Sequence, residues 1–329
     1  MATTVTWLNL HRWFYKDLRK LIYAKLTPHE FYVVRHAHNS KYEHRNYVID
    51  EYAALNGYLE LLKWSISIGN YPDSDTSEQA ARGGHIHVLQ WMLDNADTLY
   101  QCMIRSLTVI PLSVGIFAAR GGHLKTLEWL QDNNLFCQEH LCTAAAQYGH
   151  LELLKWLRLH ECPWDGGTCA RAAAGGYIHI LEWLRLNECP WDVRTCEAAS
   201  RFRKYDVLKW VRNREIHGSD VCPLSEFVNL ALISHGNLEM LKWTFAEGFP
   251  LSYKLCAHAA SLPDIRIMQW LRSEGGQWSP DVCNNASING RLENLQWAIA
   301  NGCPFDRETC LLYAKKYCRR DVVQWLNSL

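Results

Sequence analysis

Residues 144–165 read AAAQYGHLELLKWLRLHECPWD, and residues 172–192 read AAAGGYIHILEWLRLNECPWD. The two stretches are one phrase written twice. Its tryptophan recurs at Trp64, Trp91, Trp129, Trp156, Trp183, Trp210, Trp243, Trp270, Trp297 and Trp325, and six of the nine intervals are 27 residues. The other intervals, 38, 33 and 28 residues, are one unit plus an insertion. Self-similarity at such a period marks a repeat array. One supersecondary unit cannot bury its own apolar stripe, so it stacks on a neighbour. Function is then expected along an extended surface rather than in a pocket.

Within one unit, Thr168–Asp192, the physics is legible. Thr168 is placed to cap a first helix, and the small residues Cys169–Ala174 let neighbouring helices approach closely. Gly176 is expected to end that helix in a left-handed conformation. Ile178, Ile180, Leu181, Trp183, Leu184 and Leu186 recur at spacings of three and four and form the apolar set of a second helix. Glu182 and Arg185 are assigned to its solvent face. Pro190 closes the unit, Trp191 turns back to the core, and Asp192 opens the next cap. The fold class expected is all-α: a solenoid of about ten helix-turn-helix units.

The bulk composition narrows the function. The chain has 329 residues, with Lys+Arg and Asp+Glu both 34, for a net charge of zero. That balance argues against a nucleic-acid binder held by a broad basic field, although local basic patches survive the objection, and the expectation is of no nucleic-acid partner. The opening stretch MATTVTWLNLHRWF lacks the apolar core of a signal peptide. The longest nearly apolar run, Leu107 to Ala119, is broken by Pro111 and too short to span a bilayer, so no membrane partner is expected. Thirteen cysteines, an odd number with nothing pointing to secretion, fit a reduced cytoplasmic chain.

The phrase resembles the ankyrin repeat. Ala145 and Ala146 match the paired alanines, and Gly149-His150-Leu151-Glu152 matches the Gly-His step. That step returns at Gly84-His85 and Gly122-His123, and as Gly57-Tyr58 and Gly176-Tyr177. The Thr-Pro-Leu-His opening of the family is missing, and Thr-Cys stands in its place at Thr168-Cys169, Thr195-Cys196 and Thr309-Cys310. The unit is about six residues shorter than an ankyrin repeat. The deletion falls in the turn between units, so the inter-repeat hairpins are expected to be stunted. Short, Trp-rich arrays of this kind are similar to those of giant DNA viruses and of some amoebae and oomycetes. The viral resemblance implies a viral protein and, for a viral source, a host protein as partner and the host cytoplasm as location; a monomer is expected in either case.

The array is expected to occupy residues 47–329, and residues 1–46 lie outside it. Trp7, Leu10, Trp13, Phe14, Leu18, Leu21 and Ile22 form a stripe at helical spacing, with Arg12, Lys16, Arg19, Lys20 and Lys25 on the other positions. A capping helix explains them. Leu18–Tyr42 also resembles a degenerate F-box without its leading Leu-Pro. That resemblance implies docking on a ubiquitin-ligase adaptor. Two insertions, near residues 94–114 and 213–226, read either as functional loops or as longer connectors. Arg203, Pro263 and Cys318 replace the glycine of the inter-helix turn, which predicts altered turns there.

Catalytic motifs are missing: there is no Gly-rich phosphate loop, no Gly-x-Ser-x-Gly elbow and no His-Glu-x-x-His helix. No enzyme activity, cofactor or catalytic residue is expected. The histidines of the Gly-His step are expected to support the turn between helices. The cysteine pairs Cys162/Cys169, Cys189/Cys196 and Cys303/Cys310 recur once per unit, and Cys137/Cys142 lie closer. They are read as small buried hydrophobes rather than a metal site.

The ankyrin resemblance places the contact residues of a binding groove at the variable positions after the alanine pair. By position these are Arg82, Arg120, Gln147, Tyr148, Arg201, Phe202 and His235, with His160 and Asn187 at the end of the second helix. Ser234, Ser261, Ile288, Asn289 and Asn301 occupy further equivalent positions. Arginines with a tyrosine and a phenylalanine suit an acidic, partly apolar protein segment. Solvated helix ends are the plain alternative. The function expected is a non-enzymatic protein-interaction scaffold, with a substrate receptor of a ubiquitin ligase as the alternative.

Overall fold

The computed structural model describes residues 47–67, 72–96, 99, 110–223, 225–249 and 251–329. The N-terminal segment 1–46, with its cap or F-box-like reading, lies outside the described residues. So does most of the first insertion.

Among the described residues there are helices and turns and no β-strand. The helices come as ten antiparallel pairs. In the first compact unit, ending at Pro163, they are α1 (Tyr47–Leu55) with α2 (Leu59–Ser67), α3 (Ser74–Arg82) with α4 (Ile86–Asp94), α5 (Val114–Gly121) with α6 (Leu124–Asp132), and α7 (Leu141–Tyr148) with α8 (Leu151–Leu159). The second unit begins at Trp164. It holds α9 (Gly166–Gly175) with α10 (Ile178–Leu186) and α11 (Val193–Arg201) with α12 (Tyr205–Val211). After a single turn, α13 (Arg214–His217), come α14 (Glu226–Ser234) with α15 (Leu238–Ala246) and α16 (Tyr253–Ala259) with α17 (Ile265–Ser273). Last are α18 (Pro280–Asn289) with α19 (Leu292–Ala300) and α20 (Arg307–Lys316) with α21 (Arg320–Ser328). The protein is an all-α helical-repeat solenoid, and the turns between repeats carry no hairpin ladder among the described residues.

Within each unit, first helices pack on the first helices of neighbouring repeats. Small side chains permit it. Ala144, Ala145 and Ala146 in α7 are buried, as are Ala172, Ala173 and Ala174 in α9. Second helices supply the bulk: Leu153, Leu154 and Leu157 in α8, and Ile180, Leu181 and Leu184 in α10, are buried. Leu186 is the exception to the expected apolar set, being 83 % exposed. It sits two residues beyond Leu184, about 200° around the helix, on the solvent side.

The first helix starts three residues earlier than Thr168 suggests. Asp165 is the N-cap: its carboxylate accepts from Gly167 N at 3.0 Å, and Thr168 Oγ1 accepts from Asp165 N in return. Asp73 and Thr76 make the same box on α3. Aspartate wins the cap because its carboxylate reaches the orphan amides of the first turn, while the threonine closes the loop from N3. Gly176 ends α9 in the left-handed conformation, as expected.

The cysteines are paired differently from their sequence spacing. The first-helix cysteine meets the turn cysteine that closes the same repeat. Cys169 and Cys189 lie sulfur to sulfur at 3.7 Å, and Cys142 Sγ lies 3.6 Å from the carbonyl of Cys162. The turn thiols point to the carbonyl at their own repeat's N-cap: Cys189 to Asp165 at 3.5 Å, Cys222 to Asp192 at 3.3 Å, Cys303 to Ser279 at 3.5 Å. All the described cysteines are free thiols. The adjoining Cys169 sulfur and burial push the Cys189 thiol up, and burial pushes Cys162 to about 11. Cys162 and Cys189 are therefore uncharged core groups.

Two repeats depart from this pattern in a matched way. The first-helix cysteine is replaced by Asp50 in α1 and by Asn229 in α14, both buried. In the same repeats the second-helix leucine is replaced by Ser65 and Thr244, also buried. Thr244 Oγ1 lies 2.7 Å from Asn229 Oδ1 and 2.8 Å from the Leu241 carbonyl. A buried polar group costs stability unless it is bonded, so the two positions change together.

Candidate binding surface

The turn between the two helices of a repeat is built by a device that reaches across repeats. His85 Nε2 lies 3.0 Å from the Leu55 carbonyl, His123 Nε2 3.0 Å from Arg82 O, and His150 Nε2 2.9 Å from Arg120 O. Each histidine reads the end of the preceding repeat's first helix. A carbonyl only accepts, so Nε2 carries the proton. Burial holds His85 below the ordinary imidazole range, which keeps it neutral. The ring lies on the preceding glycine. A Cβ on Gly84 would come within 2.5 Å of His123, and Gly84 has φ of 74°. The Gly-His step thus staples neighbouring repeats, beyond the turn support expected from sequence.

In the second unit the staple is basic. The Lys204 stem lies over Gly176; Arg291 Nε donates to Ser261 O at 3.0 Å and Arg319 Nε to Ile288 O at 2.8 Å. Arg203 and Cys318 keep the left-handed turn with φ of 58° and 57°. Their turns are therefore not altered, and each pays strain of about 1 kcal/mol that a glycine escapes. Pro263 cannot follow them, because its ring fixes φ. There the turn is remade by short bonds, Ser261 N to His258 O and Leu262 N to Ala259 O, both 3.1 Å.

The sequence-derived residues fall into two groups. Arg82, Arg120, Gln147 and Tyr148 lie at the C-terminal ends of α3, α5 and α7. Arg82 and Tyr148 are exposed, and Arg120 carries its guanidinium 4.7 Å from the Phe117 ring centre. In the second unit Arg201 ends α11 and Phe202, 50 % exposed, caps it. His235 caps α14, with Nδ1 3.5 Å from the Tyr205 hydroxyl. Ser234 Oγ lies 2.6 Å from His258 Nε2. Asn289 folds back on its own helix, Nδ2 to Asn285 O at 2.9 Å.

His160 and Asn187 lie at the other end of their hairpins. His160 Nδ1 is 2.9 Å from Trp156 O, with its ring 3.9 Å from the Trp156 ring, and Asn187 Nδ2 donates to Trp183 O at 2.8 Å. Asn95, Asn133 and Asn301 bond their own tryptophan carbonyls in the same way. A capping amide explains the recurrence, since the last carbonyls of a helix lack partners.

Around the tryptophans a second set of charges is spent on structure. Arg185 does not face solvent alone: it donates to Cys189 O at 2.6 Å, lies 4.6 Å from the Trp191 ring, and pairs with Asp220. Trp191 packs edge-on against Trp210. The second insertion serves this cluster. Its α13 turn brings His217 onto both rings, 4.9 Å from Trp191 and 4.5 Å from Trp210. Among the described residues, no group of three or more His, Cys, Asp or Glu is arranged to hold a metal ion. No described helix is long and apolar enough to cross a membrane.

No family model matches the chain, and no curated protein matches it. Solved structures do. The pentatricopeptide repeat protein PPR10, in complex with an 18-nt psaJ RNA element, is similar at 14 % sequence identity and a TM-score of 0.44. The match covers 95 % of this chain and 53 % of that one. A cysteine-to-serine form of the same protein, bound to the same element, gives the same figures. The chain thus spans about half the length of the helical-repeat chain it matches.

One expectation is corrected here, that of no nucleic-acid partner. The helical-repeat structures matched are RNA complexes, and zero net charge is no exclusion. Net charge is a sum over the whole surface, whereas phosphate is bound by local groups of cations. Arg203, Lys204, Arg291 and Arg319 are cations at inter-helix turns of the second unit that their sequence spacing does not bring together. Their one signal was the run of basic residues at the position where other repeats carry histidine.

Proposed function

We propose that this chain is a non-enzymatic binding scaffold of ankyrin type, which takes a protein partner along the tips of its first helices. The observation that carries this reading is how the first helices are used. Their alanine and cysteine faces are consumed in repeat stacking, while Arg82, Arg120 and Tyr148 at their ends reach solvent. Arginine and aromatic side chains on a rigid support lose little entropy when they bind, which suits them as anchors. Gln147 lies beside Tyr148 in the same unit; Arg201, Phe202 and His235 hold the equivalent repeat positions in the second unit, and His160 and Asn187 are the contact positions at the other end of their hairpins. Under this reading the protein acts in the cytoplasm, and residues 1–46 either cap the array or dock a ubiquitin-ligase adaptor.

The test is affinity capture from eukaryotic lysate with three baits: the full chain, the R82E/R120E/Y148A variant, and the chain without residues 1–46. Partners held by full-length protein and lost from the triple variant support the tip surface, provided the variant keeps its helical circular dichroism. Identical partners on both reject it. Ligase adaptors present only when residues 1–46 are present assign that segment to docking.

A further inference from the structure

The second unit carries a feature of which the protein-binding reading uses only Phe202. Its inter-helix turns lose glycine twice, at Arg203 and Cys318, and both times the left-handed backbone is kept. Both times the residue before is an exposed aromatic, Phe202 at 50 % and Tyr317 at 44 %. Both times the residues after are basic, Lys204 in one turn and Arg319-Arg320 in the other. The same local pattern, ring then cation, is thus built at two turns on the same end of their repeats.

The cations of this edge are held and left uncompensated. The Lys204 stem rests on Gly176, and Arg319 rests on Gly290 with only Nε engaged, at Ile288 O. Arg291 is held the same way on Ser261 O. Their stems are therefore ordered while charged ends stay open to a ligand. Among the described residues, none of Arg203, Lys204, Arg291, Lys315, Lys316, Arg319 and Arg320 has a carboxylate within the 4.0 Å of an ion pair. The unit's ion pairs lie elsewhere, as in Lys242–Glu239, Lys254–Glu226 and Arg266–Asp264. Burial first, and then the Arg203 charge, disfavour a charge on His235 in the next repeat.

We propose that this edge binds single-stranded nucleic acid, with Phe202 and Tyr317 stacking on bases and Lys204, Arg203, Arg319 and Arg320 holding phosphates. A single strand offers planar bases and anionic phosphates in alternation, which matches rings set beside cations. An acidic peptide offers carboxylates but nothing flat for the rings. Guanidinium groups held by Nε present the remaining N–H donors as a fork suited to phosphate oxygens.

The test is fluorescence anisotropy of a fluorescein-labelled oligouridine titrated with the full chain over a range of salt. Binding is expected to weaken with salt at a log–log slope of about −3, as neutralising four phosphates requires. F202A and Y317A are each expected to weaken binding about 10-fold with the slope unchanged. R319E/R320E is expected to weaken it further and to flatten the slope. A labelled poly-glutamate peptide is the competitor. Binding that R319E/R320E leaves intact, no binding at low salt, or equal competition by poly-glutamate with F202A and Y317A indifferent would each overturn the proposal. Circular dichroism melts of the variants separate lost contacts from lost fold. The tip variants R82E/R120E/Y148A lie in the other unit and are expected to bind the oligouridine normally, so the two readings fail independently.

Discussion

Asp50 shows how much one buried group can set. Its side chain is almost wholly buried; one oxygen meets Ser65, and Oδ1 has no partner among the described residues. Burial, with Asp73 and Glu51 nearby, raises its pKa from 3.8 to about 6. Between those values the folded state holds more protons than the unfolded state. Stability therefore falls as pH rises from about 4 to 6 and stays lower above, by up to roughly 3 kcal/mol. Asp50→Asn keeps the shape and abolishes the charge. It is expected to stabilise the protein above pH 6 and to make no difference below pH 4, as read by urea midpoints at a series of pH values. A second residue-scale expectation concerns the staple. His123→Ala removes one hydrogen bond and should cost about 1 kcal/mol. Gly84→Ala should cost more, because it adds left-handed strain and displaces the His123 ring. Equal losses in denaturant titrations would refute the staple.

At the scale of the element, the second helix of each repeat separates core from surface sharply. Leu184→Ala is expected to cost roughly 2–5 kcal/mol and Leu186→Ala less than about 0.5 kcal/mol, although the two are near neighbours in sequence. The matched pair in α14 and α15 makes a stricter test. Asn229→Cys or Thr244→Leu alone strips a buried polar group of a contact, whereas the double change restores the pairing found in α9 and α10. A double-mutant cycle should return a coupling of about 1 kcal/mol or more; additivity would sink the idea. The helices themselves were legible in the sequence, since apolar spacing, glycine and proline mark their bounds. The cysteine pairing was not. Residues 169 and 189 are twenty apart, and only the closing of the hairpin brings them together. Nor was the start of α9, where Thr168 looks like a cap until Asp165 is seen to take that place.

Across the whole molecule, the period of 27 residues was enough to specify the class of fold, because a unit that cannot bury its stripe must repeat. The binding surface was less legible. Contact positions were named one repeat at a time, yet the basic edge exists only when turns far apart in sequence are aligned by stacking. The stacking also grades stability. In the second unit, α9 and α11 are flanked by packed helices, while α21 keeps only Val322 and Leu326 buried. Amides of α20 and α21 are expected to exchange with deuterium well before those of α9, as nearest-neighbour repeat energetics requires. Uniform exchange through the unit would count against it.

The staple has one more property, which concerns how such a chain is inherited. Each histidine or arginine of the staple grips a main-chain carbonyl, and every amino acid supplies one. The grip is indifferent to what the gripped residue is. A stretch of gene encoding one whole repeat can therefore be copied or lost, and the segments newly made adjacent still find a carbonyl to hold. Lineages carrying this motif are expected to differ in length by whole repeats, with breakpoints tolerated wherever the period is kept.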